Sequence, residues 1–130
     1  MARLSTPDPE TMSDEQREVH DAIAAGPRGE VVGPLGVWLH RVKLADKAQQ
    51  LGQYCRYDSS LDPRLSELAI LVTARVWDAS FEWQSHEPPA RAAGLADDII
   101  EALRNDREPK FADDAASVVY RVSKVLNKTR

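Results

Sequence analysis

The stretch from Asp62 to Asp78 constrains this chain more than any other. Asp62 is a good helix N-cap, and Pro63 falls at the first helical position, where a missing N–H costs nothing. Behind them Leu65, Leu68, Ala69, Val72 and Val76 recur at helical spacing, and the opposite side carries Ile70, Leu71 and Ala74. A helix that is apolar nearly all round has to be covered on several sides. The segment therefore predicts a central helix surrounded by other elements.

The rest of the chain supplies them. Ser13 to Gln16 has the form of a capping box, with Val19, Ala22 and Ile23 behind it and Gly26 as the stop. GPRGEVVGPLG (26–36) reads as a loop. Further helices are expected at Val37–Arg41, Leu44–Tyr57, Ser80–Gly94, Ala96–Asn105 and Asp113–Lys128, the last with Val118, Val122 and Val125 on one face. The rings of Pro88 and Pro89 should kink or restart the Ser80–Gly94 helix. No segment alternates in the manner of a strand. The expectation is an all-α bundle of about six to seven helices, with an N-terminal tail at 1–12 and a single domain at 13–130, a length that suits one core.

Charge and counting remove several function classes. A net charge of −4 without any Lys/Arg run gives no footprint for nucleic acid. No stretch approaches the ~20 apolar residues of a membrane span. The first twelve residues hold one arginine and no apolar run, so no signal peptide is expected there. Together with the single cysteine, Cys55, this points to the cytoplasm. One cysteine excludes a cysteine zinc finger, a disulfide framework and a CxxC site. The glycine-rich loop lacks the Gly-Lys-Ser/Thr ending of a phosphate loop. Neither a cofactor nor a metal is expected.

Three residues stand out as chemistry. Glu67 is flanked by Ile70, Leu71 and Ala74, and a carboxyl buried among apolar groups is a common way to build a general acid. Glu82 and His86 are spaced i, i+4 and share a helix face. Each also has a structural explanation. Glu67 can pair with Arg64 or Arg75, and Glu82 suits a helix N-terminus. His86 can bond a carbonyl freed by the prolines, and the three together can ligate a metal. Trp77 and Trp83 read as core or interface anchors, and His20, His40 and Cys55 as local packing or surface.

The run RLSELAILVTARVWDASFEWQSHEPPARAAG (64–94), preceded by GPLGVWLHRVKLA (33–45), resembles the carboxymuconolactone decarboxylase family, which includes alkylhydroperoxidase D. The resemblance covers about residues 33–105 and rests on the ordered set Glu67, Glu82-Trp83, His86 and Ala93-Gly94. It implies an alkylhydroperoxidase D-like helical fold that works as a trimer or hexamer, with the site near subunit contacts. Peroxidase members carry Glu…Cys-x-x-Cys-x-x-x-His. Aligned on His86, those cysteines fall at Ala79 and Glu82 and the glutamate at Glu67. Thiol peroxidase chemistry needs both thiols, so it survives only if Cys55 lies in the site. Decarboxylase members release CO₂ from a lactone and protonate carbon. The resemblance thus implies a decarboxylase-like lyase or isomerase acting on a small lactone or carboxylate. Glu67 would be its acid/base, His86 the partner, and Glu82 would tune the pair's charge. The alternative is a non-catalytic, oligomeric member that binds a small molecule.

Overall fold

The computed structural model describes residues 4–129. The first three residues of the expected tail and the last residue of the expected domain lie outside them. The chain divides into two compact units, residues 1–59 and 60–130.

In the first unit, helix α1 (Asp14–Ala25) starts at the expected capping box. The Ser13 hydroxyl accepts from the Gln16 N–H at 3.2 Å, and the Gln16 side chain accepts from the Ser13 N–H at 3.0 Å. Two of the orphan donors of a helix start are thereby satisfied. Helix α2 spans Pro34–Trp38, earlier than the expected Val37–Arg41. Gly33 takes the left-handed φ of 58° that turns the chain into it, and Pro34 occupies the first position. The expected single helix Leu44–Tyr57 is instead α3 (Val42–Gln53) followed by a π-helical turn, Tyr54–Asp58. The helix ladder widens there to i→i+5. Met12, Val19, Ile23, Leu35, Leu39 and Ala45 form the core of this unit, so the last residue read as tail is buried.

The second unit is built around α4 (Pro63–Val76), which packs against α5 (Ser80–Ala92), α6 (Asp97–Arg104) and α7 (Asp114–Lys128). Asp62 caps α4 by accepting from the Arg64 N–H at 2.9 Å. Asp113 caps α7 through the Ala116 N–H at 2.8 Å and holds Arg64 at 3.1 Å with its other oxygen. The core gathers Leu68, Leu71 and Val72 of α4 with Ala90, Ile99, Ile100, Leu103, Ala116 and Tyr120. Leu71 and Ala74, on the side opposite the main stripe, are buried as well, as a central helix requires.

One expectation is corrected here. Helix α5 runs unbroken through Pro88 and Pro89 and is not restarted. A proline φ is already helical. The carbonyls that lose their donors, those of Gln84 and Ser85, belong to exposed residues open to water. Val118, Val122 and Val125 of α7 are all exposed, and the helix buries Ala116 and Tyr120.

The protein is all-α: seven α-helices and one π-turn, with no strand among the described residues. Among those residues no helix is long and apolar enough to cross a membrane.

Candidate functional site

The short link between α4 and α5 sets the site. Trp77 closes α4, Asp78 turns the chain with a φ of 47°, and the Ala79 N–H returns to the Ala74 carbonyl at 2.8 Å. Aspartate tolerates that left-handed conformation better than most residues. Its carboxylate also accepts from Arg75. This reversal folds α5 back along α4 and brings Glu67 against His86.

Glu67 and His86 are 6% and 9% exposed, and His86 Nδ1 lies 2.7 Å from Glu67 Oε2. A carboxylate accepts only, so Nδ1–H donates to it and the second ring nitrogen, Nε2, is directed elsewhere. It faces Glu82 Oε2 at 3.7 Å, within ion-pair range but beyond a hydrogen bond. The Glu82 side chain is 43% exposed. The three residues picked out from sequence therefore come together in order of depth: Glu67 inside, His86 between, Glu82 at the surface. The prolines do not capture the imidazole.

Glu82 lies on the wall of a cleft of about 490 Å³, whose other walls are Ala69, Ile70, Thr73, Ala74, Trp77 and Ala79. Glu67 and His86 sit behind Glu82 and are not among these walls. The polar side-chain atoms of Trp77 and Thr73 are engaged. The Trp77 indole N–H donates to Asn127 Oδ1 at 2.8 Å. The Thr73 hydroxyl donates to the Ala69 carbonyl at 2.9 Å and accepts from the Asn127 amide at 3.0 Å. These bonds to α7, fifty or more residues away in sequence, fix the indole at the rim.

A smaller cleft of about 190 Å³ also touches Ala74 and Ala79, but it is bordered by Arg75, Asp78, Ser80, Trp83 and Arg104. Its cations are paired. Arg75 bonds Asp78, and Arg104 lies 2.5 Å from Glu87 and 3.2 Å from Glu101. Trp83 donates to Glu87 at 2.8 Å and carries the Arg104 guanidinium 5.2 Å above its ring. Burial pushes the Glu87 carboxyl up, but donation from Arg104, Arg91 and Trp83 outweighs it and holds the group below its ordinary value. Glu87 was not singled out from sequence, although its i, i+4 spacing to Arg91 was readable and the pair is present at 3.0 Å.

The remaining candidates belong to the first unit. His20 Nδ1 is 2.9 Å from Asp21, His40 bonds the Ser5 carbonyl, and Cys55 is exposed in the π-turn of the first unit. Among the described residues no group of three or more His, Cys, Asp or Glu is arranged to hold a metal ion.

A profile of the carboxymuconolactone decarboxylase family matches residues 43–124, well over half of the chain. The chain belongs to that family. No curated protein and no solved structure matches it. The family's fold, an alkylhydroperoxidase D-like bundle, agrees with the all-helical architecture. The chain carries a single cysteine, Cys55, and so has no pair of thiols.

Proposed function

We propose that this family member is a lyase or isomerase that moves a proton on a small lactone or carboxylate by general acid–base catalysis. The observation that supports it is the graded Glu67–His86–Glu82 row ending on the wall of an apolar cleft. Burying an ionisable pair costs folding free energy that well-packed apolar residues would not. A carboxylate in place of the peroxidase thiol also exchanges nucleophilic redox chemistry for proton transfer.

The depth of each group assigns its role. Glu82 is the residue that reaches a ligand and is the catalytic acid/base. Glu67, acting through His86, is a positioning residue. It fixes the imidazole tautomer and stabilises the imidazolium when Nε2 takes a proton from Glu82. This shifts the acid/base role from Glu67, where sequence resemblance put it, to the exposed carboxylate. Both reaction types open to such a site, loss of CO₂ from a carboxylated lactone and double-bond migration in a neutral one, end with Glu82 delivering a proton to carbon.

The exposed α7 face, Val118, Val122, Val125 and Leu126, supports assembly into a homo-oligomer. The test of function is turnover of a panel of unsaturated lactones and their carboxylated forms. Glu82→Gln should cost roughly 10²–10⁴ in rate, the usual contribution of a general acid or base. Glu67→Gln should shift the pH profile as well as the rate. Lactones that raise the melting temperature but are never converted would instead mark a non-catalytic binding member.

A further inference from the structure

Of the two substrate types, lactone and carboxylate, the cleft beside Glu82 is suited to only one. Its walls are five apolar residues and Thr73, with Glu82 as the single charge. The Trp77 N–H and the Thr73 hydroxyl both donate within the protein, so no wall side chain offers a donor to an anion. The first turn of α5, where a helix favours negative charge, is already supplied by Glu82 itself. The nearby arginines, Arg75 and Arg104, border the other cleft and are paired with Asp78, Glu87 and Glu101. A ligand carboxylate would enter the cleft beside a like charge and without a side-chain donor, which is unfavourable on both counts.

We infer that the cleft takes an uncharged unsaturated lactone with an apolar substituent and excludes carboxylates. This inference rests on the acid–base reading of Glu82 and narrows it. Its volume of about 490 Å³ falls in the range of small-molecule sites. That leaves room for an alkyl or aryl group against Ile70 and the Trp77 ring. A substrate without a carboxylate has no CO₂ to lose, so the reaction is migration of the ring double bond. The C–H bond beside the lactone carbonyl breaks and Glu82 takes the proton. The electron pair delocalises through the ring alkene as a dienolate, and Glu82, whose half-exposed carboxyl trades its proton with water, returns a proton at the far end of the alkene or at the carbon it left. Atoms and charge balance with no co-reactant.

The test is calorimetric titration of two probes: an alkyl-substituted β,γ-unsaturated γ-lactone, and the same lactone carrying a ring carboxylate. The wild-type protein should bind the neutral probe at least about tenfold more tightly, because a like charge a few ångströms away in a partly screened site is worth that much or more. Glu82→Gln should close most of the gap by strengthening the carboxylated probe. The variant replaces a half-exposed side chain, so folding is not in question. Equal or tighter binding of the carboxylated probe by the wild type overturns the inference, as does a gap that Glu82→Gln leaves intact, or no binding of the neutral probe. If the neutral probe binds selectively and is never isomerised, the selectivity of the cleft stands and the acid–base reading fails.

Discussion

Breaking the Glu67–His86 bond should destabilise the protein in a way that only a coupled buried pair can. The two groups are 6% and 9% exposed and 2.7 Å apart. A hydrogen bond to a charged partner contributes about 1.5–3 kcal/mol. Truncating either side chain also leaves a small void and strips the other of a partner it was desolvated to meet. Glu67→Ala and His86→Ala should therefore each cost about 2–4 kcal/mol, a large part of the ~5–15 kcal/mol of a typical domain. The double variant should cost less than the sum by about 1.5–3 kcal/mol, since the bond is lost only once. Urea denaturation of the four proteins at one fixed concentration gives the cycle, with the concentration held because any subunit association would add to apparent stability. The exposed pair His20–Asp21, with side chains 26% and 68% exposed, serves as the control and should couple by no more than about 0.5 kcal/mol. Additivity at Glu67 and His86 to within about 0.5 kcal/mol would refute the reasoning, because independent sites behave that way.

Three further outcomes follow. Glu87 has its carboxyl held below its ordinary value of 4.5, so its contribution to stability is complete above that pH and is lost as pH falls through the depressed value; Glu87→Gln should flatten the acid limb of the stability–pH curve, and an unchanged limb would remove Arg104, Arg91 and Trp83 as its cause. Cys55→Ser should leave lactone turnover unchanged, and the wild type should reduce peroxide negligibly; loss of a measurable peroxidase rate in the variant would overturn the assignment of Ala79 and Glu82 to the thiol positions. Light scattering at micromolar concentration should report a multiple of 14.5 kDa, and a charged residue at Val122 should lower it, whereas a monomer throughout would mean that the α7 face is not an interface.

Local signals were legible in the sequence because their physics is local. The Ser13 capping box, the Asp62-Pro63 start and the i, i+4 pair of Glu82 and His86 each depend on residues within a turn of one another, and each appears in the structure. The meeting of Glu67 with His86 followed from a link too short to let α4 and α5 separate. The start of α2 was readable but misjudged, since Gly33-Pro34 is the signature of a turn followed by a first helical residue. Pro88-Pro89 misled for a different reason. Proline costs a helix its donors, yet whether the freed carbonyls can reach water depends on exposure, which the sequence does not carry. The Trp77–Asn127–Thr73 bonds and the side of α7 that faces the core depend on how α4 and α7 pack, and no spacing rule reaches across fifty residues.

Proton transfer to carbon at Glu82 is measurable without knowing the natural substrate. A β,γ-unsaturated γ-lactone with an alkyl substituent is incubated in D₂O with the wild type, Glu82→Gln and His86→Gln, and deuterium at the carbon beside the carbonyl is followed by proton NMR. The wild type should exchange that position well above the buffer rate, and both variants should fall back by roughly 10²–10⁴, the contribution of a positioned acid–base group. Exchange at the buffer rate in the wild type, or at the wild-type rate in Glu82→Gln, would contradict the role given to this site.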